Sequence, residues 1–386
     1  MENFEEKACL CALNRIFGFE PKIGLALISH LGSASQVFRL DTEVLNSLIG
    51  PYSKYRDRIT MGAVDQAAKE LRHLEERGIN FCGITESSYP PMLKECEDPS
   101  IGLYVRSSTP LEKLWKENSV GIVGTRDISP YGKDWCQKIV KTLSMTGQKP
   151  PIISGLALGV DITAHRTALD NGLPTIGVMA TGPDNIYPYR HHSDAERIVN
   201  SPGCALITDY PPGTAPLAIH FLRRNRIIAG LSRSVLLIES RIKGGGLMTC
   251  RLAFSYNRDI YALPGRADDI RSEGCNELIR KKIAEPITSL HTLAESLGMK
   301  VRKASLPGLR QLLDNIYKGR IPAEDIELMS SILSEIKKNR GITVDELSDN
   351  LGTGFLKIME LTGMLEIDGV ISTDLLRRCS INLKFM

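Results

Sequence analysis

Apolar positions along the chain fall into three successive patterns. Over residues 5–75 they recur every three or four places, as in Leu10, Leu13, Ile16 and Phe17, then Ile23, Leu25, Ile28 and Leu31. That spacing lines one face of a helix and predicts a helical N-terminal domain over residues 1–80. Pro21 stands near a helix start and Gly32 near a helix end, as their backbone preferences favour. The stretch Phe17-Gly18-Phe19-Glu20-Pro21-Lys22-Ile23-Gly24 reads as a turn between short helices, in the manner of SAM or helix-hairpin-helix modules. Such hairpins offer glycine amides to a phosphate. Glu20 takes the third place here and repels one, so the expected role is structural or protein-contacting.

From residue 81 to 297 the period changes. Short β-branched runs occur at Ser119–Val123, Pro151–Ser154, Thr175–Met179, Cys204–Thr208, Ser234–Ile238 and Asp259–Leu263, most of them followed by glycine or proline and an amphipathic stretch. Strands buried on both faces read this way. The expected fold is α/β, a Rossmann-like doubly wound and mostly parallel sheet. In such sheets ligands lie beyond the carboxyl ends of the strands.

The third pattern follows a stretch, Gly298–Arg310, that holds Lys300, Arg302, Lys303 and Arg310 without an acid, and a basic linker is expected over residues 298–325. Over residues 326–386, Met329–Lys338 reads as a helix and Thr343 with Glu346 as the capping box of a second, running to Leu351. Phe355–Leu361 reads as a third helix, and Met364–Ile371, alternating around Asp368-Gly369, as a β-hairpin. Three helices and a hairpin predict a winged-helix domain. Its third helix offers only Lys357, beside Glu360, which is little charge for a phosphate backbone.

Composition narrows the class without deciding it. The chain has 386 residues, 42% hydrophobic and 24% charged, with a net charge of +3, so a polyanionic partner must be argued from local clustering. No apolar run approaches the roughly 18–20 residues of a membrane span, and the acidic start lacks the basic region of a secretion signal. The nine cysteines show no metal-site spacing; Cys9 and Cys11 are the one close pair. Free thiols in a reducing cytoplasm are expected, with no membrane association, metal or cofactor.

Four strand-end loops carry the candidate chemistry. Gly124-Thr125-Arg126 follows the first strand, and Ser129-Pro130 opens the next helix, so its amides and an arginine form an expected anion site. The missing second and third glycines disfavour a dinucleotide. Ser154-Gly155 ends the second strand; Asp161 beyond it reads as a helix cap and His165 as structural. The segment His220-Phe221-Leu222-Arg223-Arg224-Asn225-Arg226 belongs to a fourteen-residue run with four arginines and no carboxylate. A helix there displays Arg223 and Arg226 on one face, with Phe221 free to stack on a base and arginine to grip phosphate. Lys243-Gly244-Gly245-Gly246 resembles a phosphate cradle without the Gly-Lys-Ser/Thr end of a P-loop.

Taken in order, these segments resemble the DprA/Smf family of DNA-processing proteins. The carrying motifs are Val123-Gly124-Thr125-Arg126 with Ser129 and Tyr131-Gly132, and Ser154-Gly155 through Gly159-Val160-Asp161 with Ala164-His165. They continue with Tyr187-Pro188, Tyr210-Pro211-Pro212-Gly213, Phe221 with Arg224-Asn225-Arg226-Ile227-Ile228-Ala229, and Pro264-Gly265 with Gly274-Cys275-Asn276-Glu277-Leu278-Ile279. The resemblance implies a non-catalytic protein of natural transformation. It would bind single-stranded DNA, and duplex more weakly, protect incoming strands and help load the RecA recombinase, acting as a homodimer through the Rossmann-like domain. It carries DNA contacts onto Arg126, Phe221, Arg224 and Arg226, and onto Ser154, Gly155 and Lys243. Two departures are visible: Lys243-Gly244-Gly245-Gly246 replaces a Lys-Ser-Gly-Ser pattern, and no lysine precedes Phe221, where His220 stands instead. The competing reading is a nucleotide phosphoribohydrolase on a related fold, whose Pro-Gly-Gly-x-Gly-Thr loop and following glutamate are absent here.

Overall fold

The short β-branched runs become the central strands of a nine-stranded sheet. The computed structural model describes residues 2–299, 309–339, 341–374 and 377–382. They form two compact units, Met1–Arg302 and Lys303–Met386.

In the first unit, helices α1 (Glu2–Phe17), α2 (Pro21–Leu31), α3 (Ala34–Phe38), α4 (Thr42–Ile49) and α5 (Met61–Glu76) precede strand β1 (Ile79–Gly83). The turn α6 (Pro91–Lys94) leads to β2 (Gly102–Arg106). The α/β alternation then runs β3 (Val120–Val123), α7 (Pro130–Ser144), β4 (Ile152–Gly155), α8 (Val160–Asp170), β5 (Thr175–Val178), α9 (His192–Asn200) and β6 (Ala205–Thr208). It continues through α10 (Ala218–Leu231), β7 (Ser234–Leu237), α11 (Gly245–Ser255), β8 (Asp259–Ala262), α12 (Glu273–Arg280), β9 (Glu285–Pro286) and α13 (Leu290–Ser296). The six expected strands are thus β3 to β8, each within a residue of the sequence reading.

The strand order is β1-β2-β6-β5-β4-β3-β7-β8-β9. Pairing is parallel from β6 across to β9, while β2 joins β6, and β1 joins β2, antiparallel. The doubly wound, mostly parallel sheet is therefore present, extended by an antiparallel edge that the sequence reading lacked. Chain order reverses between β3 and its two neighbours, β4 and β7. That reversal opens a crevice at the carboxyl ends of these strands.

Each sheet face is covered by helices. One carries Cys136, Ile139 and Val140 of α7, Val160, Ala164 and Ala168 of α8, and Leu293 of α13. On the other, Ile227 and Ile228 of α10 and Leu247 and Cys250 of α11 join Leu10, Leu13 and Phe17 of α1 in one core. Where the sequence suggested a boundary near residue 80, the N-terminal helices share that core with the sheet. All nine cysteines are free, and eight are buried. Among the described residues, no helix is long and apolar enough to cross a membrane.

The second unit contains α14 (Leu309–Tyr317), α15 (Ala323–Lys338), α16 (Val344–Leu351), α17 (Phe355–Ile367), β10 (Ile371–Thr373) and β11 (Cys379–Ile381). Two expectations change. The second half of the presumed linker is helix α14, whose Leu313 and Tyr317 are buried against Met329 and Leu333; residues 300–308 lie outside the described residues. Helix α17 also runs on through Met364–Glu366, which were expected in a strand, because Ile358, Leu361 and Leu365 keep helical spacing into the core. Asp368-Gly369 ends that helix, with Gly369 at φ +70°, and the hairpin pairs β10 with β11 instead. The capping box is present, Glu346 N–H donating to Thr343 Oγ1 at 3.3 Å and Thr343 N–H to Glu346 Oε2 at 2.8 Å. Lys357 is neutralised, 3.0 Å from Asp325 and 3.3 Å from Glu360.

Candidate nucleic-acid interface

The crevice at the chain-order reversal is a cleft of about 610 Å³. Nine of the candidate residues line it: Gly124, Thr125 and Arg126 after β3, Phe221, Arg224 and Asn225 on α10, and Lys243, Gly244 and Gly245 before and at the start of α11. The loops approach closely enough to require glycine. A Cβ on Gly246 would stand 3.0 Å from the Cα of Gly124, so neither loop end tolerates a side chain there.

Helix α11 starts at this cleft and helix α7 follows the Gly124–Arg126 loop, and the two differ in how their N-termini are satisfied. Helix α7 was the expected anion site, but the protein fills it with its own carboxylate. Glu239, buried at the end of β7, accepts from the Ser129 amide at 2.9 Å and from the Ser129 hydroxyl. Ser129 Oγ in turn accepts from the Gly132 amide at 3.0 Å. Helix α11 has no side-chain cap at Gly244. Its first-turn amides, bare of side chains at Gly245 and Gly246, leave the positive end of the helix dipole uncapped. The N-terminus of α11 is thus open and that of α7 closed.

Around the cradle stand Arg126, Arg241 and Lys243, all exposed. None of the three forms an ion pair among the described residues. Arg126 lies over the ring of Phe221 with its guanidinium carbon 5.0 Å from the ring centroid. Tyr187 meets the same ring edge-on at 5.6 Å. Two aromatic rings and a guanidinium are therefore gathered at one wall of a cationic cleft.

The floor is a buried pair of opposite charges. Arg224 is 4% exposed, donates to the carbonyl of Val178 through Nη1, and leaves its Nε without a partner. Burial pushes Arg224 below the usual arginine range, against the favourable field of Asp161. Burial likewise raises the Asp161 carboxyl, against the field of Arg224. Both charges close over Gly155, where a Cβ would collide with them.

The remaining candidates lie elsewhere. Ser154 is fully buried and donates to the Ile122 carbonyl at 2.6 Å. His220 is buried, its Nδ1 3.0 Å from the Ala215 carbonyl and its ring 4.4 Å from that of Tyr210. Arg226, expected on a displayed face with Arg223, is 6% exposed and pairs with Asp209 at 2.5 Å. The reason is that α10 is buried on nearly all sides from Arg224 to Leu231, so only its first turns reach solvent. Arg223 remains accessible, its guanidinium 4.5 Å over the Phe19 ring. The sequence reading missed Arg241, Tyr187 and the cleft position of Asp161. Arg241 is two residues before Lys243 in an already suspected loop, and Tyr187 heads a Tyr-Pro motif already noted; no sequence signal separated Asp161 from an ordinary helix cap. Among the described residues, no group of three metal-ligating side chains stands together.

Residues 80–298 match the family model for DNA recombination-mediator protein A. The chain belongs to this family. Among curated members, DNA processing protein DprA of Streptococcus pneumoniae is 37% identical over 212 residues, covering 55% of this chain and 72% of that protein. DprA of Bacillus subtilis is 35% identical over 227 residues, 59% of this chain and 74% of the relative. Protein Smf of Synechocystis is 36% identical over 249 residues, 63% of this chain and 61% of the relative. Two solved structures of DNA processing protein A align with the fold. That from S. pneumoniae gives a TM-score of 0.62 at 29% identity, covering 76% of this chain and 98% of the other. That from Helicobacter pylori, studied for its single-stranded DNA binding mode, gives 0.50 at 29% identity, with 56% and 95% covered. The matched region of this recombination-mediator A member contains every residue of the cleft.

Proposed function

We propose that this chain binds single-stranded DNA in the cleft between Gly124–Arg126, Phe221 and Lys243–Gly245 and serves DNA processing in recombination. The carrying observation is the pairing of an uncapped helix N-terminus at Gly244–Gly246 with three exposed cations that form no ion pair among the described residues. Amides and cations of that kind take a phosphodiester, while Phe221 and Tyr187 provide aromatic faces for bases. A cleft of about 610 Å³ has room for a nucleotide. The single-stranded DNA binding mode described for the H. pylori relative supports the same ligand. Strand protection, delivery to RecA and homodimerisation through the Rossmann-like unit complete the reading and rest on family likeness.

Fluorescence anisotropy with labelled oligo-dT and with duplex, at two salt concentrations, tests the core of this reading. Tight, salt-sensitive binding of oligo-dT, reduced at least tenfold in Arg126→Ala/Lys243→Ala, is expected. Equal binding by that variant, with its fold intact by circular dichroism, refutes the cleft as the DNA site.

A further inference from the structure

A second cavity, about 870 Å³, lies on the other side of Leu222 from the cleft. Leu222 lines both. The far wall is the turn between α1 and α2, which brings Phe19 against α10; the near walls are Ile219 and Leu222 of α10 and Met248 of α11. All four of these apolar side chains are exposed to solvent. Clustered exposed apolar groups of this kind mark a binding surface.

Charge identifies the occupant. Arg223 and Arg251 line the cavity and, among the described residues, form no ion pair. Glu20, which faces Arg223, is already held by Lys54 at 2.8 Å, and Lys22 by Glu97 at 3.5 Å. Asp98 accepts from the Tyr256 hydroxyl. Cations without an ion pair among the described residues therefore line both cavities, Arg126, Arg241 and Lys243 the cleft and Arg223 and Arg251 the second cavity. An apolar peptide has no use for two free guanidiniums, whereas a polynucleotide needs apolar faces for its bases and cations for its backbone.

We propose that the DNA strand bound in the cleft continues over Leu222 and Met248 into this second cavity. There Arg223 and Arg251 take backbone phosphates, and bases settle among Phe19, Ile219 and Met248. The turn between α1 and α2 thereby contacts DNA through an aromatic side chain rather than through hairpin amides. The proposal rests on the cleft being the DNA site and adds a second, length-dependent segment to it.

Strand length separates the two segments. The probes are labelled oligo-dT of about six nucleotides, enough for the cleft, and of about fourteen, enough for both, within the site sizes of single-strand binders. Arg223→Ala/Arg251→Ala is expected to leave the short probe within twofold of wild type, weaken the long probe about tenfold and reduce its salt slope by about 1.4. Met248→Asp, which puts a carboxylate in the path, is expected to do the same. A variant that changes neither probe, or both equally, overturns the extension, as does a change in sedimentation of Met248→Asp without any length effect, which would assign the cavity to a protein partner. If Arg126→Ala/Lys243→Ala leaves both probes unaffected, the cleft itself fails, and that outcome is distinct from the others.

Discussion

Arg226 and Asp209 form an ion pair at 2.5 Å in which each side chain is only 8% exposed. Arg226 also donates to the Asp98 carbonyl at 2.5 Å and to Ser100 Oγ at 3.1 Å. The guanidinium thus joins α10 to β6 and to the segment ahead of β2, and it is spent on the fold. Removing one partner of such a pair strands the other charge in the interior, which costs about 3–5 kcal/mol. Arg226→Ala and Asp209→Asn are expected to lower the unfolding free energy by that order in urea denaturation. Arg226→Ala with normal stability and lost DNA affinity would return this residue to the interface.

That pair also marks the limit of what the sequence made legible. Strands β3 to β8 were readable because β-branched runs closed by glycine or proline occur at regular intervals, and the cleft followed because loops at strand ends hold ligands in such sheets. The burial of the arginines was not readable. Helical spacing assigns a residue to a face, but α10 lies between the sheet and other helices, and its counter-charges Asp209 and Asp161 come from other elements. Strands β1 and β2 escaped notice because Ile79–Gly83 and Gly102–Arg106 mix glycine, asparagine and arginine with apolar residues. Glu239 is the same lesson at α7: a helix N-terminus seen in sequence carries no sign that a distant carboxylate fills it.

The three exposed cations of the cleft should be visible in salt dependence. Each phosphate contact on a single strand contributes about 0.7 to the slope of log affinity against log salt. Arg126→Ala, Arg241→Ala and Lys243→Ala are each expected to reduce the slope by about that amount, and in combination nearly additively. Anisotropy titrations with oligo-dT over a salt series read this directly. An unchanged slope in any one variant removes that residue from the phosphate path.

His165 predicts a pH dependence of stability. It is fully buried on α8, its Nδ1 2.7 Å from Thr175 Oγ1, while Thr175 donates to the Ile152 carbonyl at 2.8 Å. Thr175 has one proton and spends it on Ile152, so Nδ1 carries the proton that bridges to Thr175, and Nε2 has no partner. Burial disfavours the imidazolium and lowers the histidine to about 4. Between pH 4 and the ordinary value near 6.5 the unfolded chain binds the extra proton and the folded chain does not. Stability is therefore complete above about pH 6.5 and falls as pH drops toward 4, by about 2–3 kcal/mol. His165→Gln should flatten that part of the stability profile in denaturant titrations at stepped pH; a profile equally steep in the variant assigns the loss to other groups.

The filled N-terminus of α7 makes the sharpest contrast with the open one of α11. Glu239 receives both the amide and the hydroxyl of Ser129, and Gly132 is the residue whose Cβ would strike its carboxylate. Glu239→Gln keeps the volume but turns one acceptor into a donor facing other donors and withdraws a charge from the helix dipole, at a cost of about 1–3 kcal/mol. Ser129→Ala removes the cap itself and costs about 1 kcal/mol. Both variants should melt at lower temperature. At temperatures where they remain folded, neither should lose affinity for oligo-dT, because the phosphate is expected at Gly244–Gly246 and not at α7. Gly245→Ala should show the reverse: its added methyl meets nothing closer than Asn225 Nδ2 at 4.0 Å, so stability holds while the cradle narrows and affinity drops several-fold. If Ser129→Ala weakens DNA binding tenfold and Gly245→Ala leaves it untouched, the two helix ends exchange roles, and the strand enters the cleft from the β3 side.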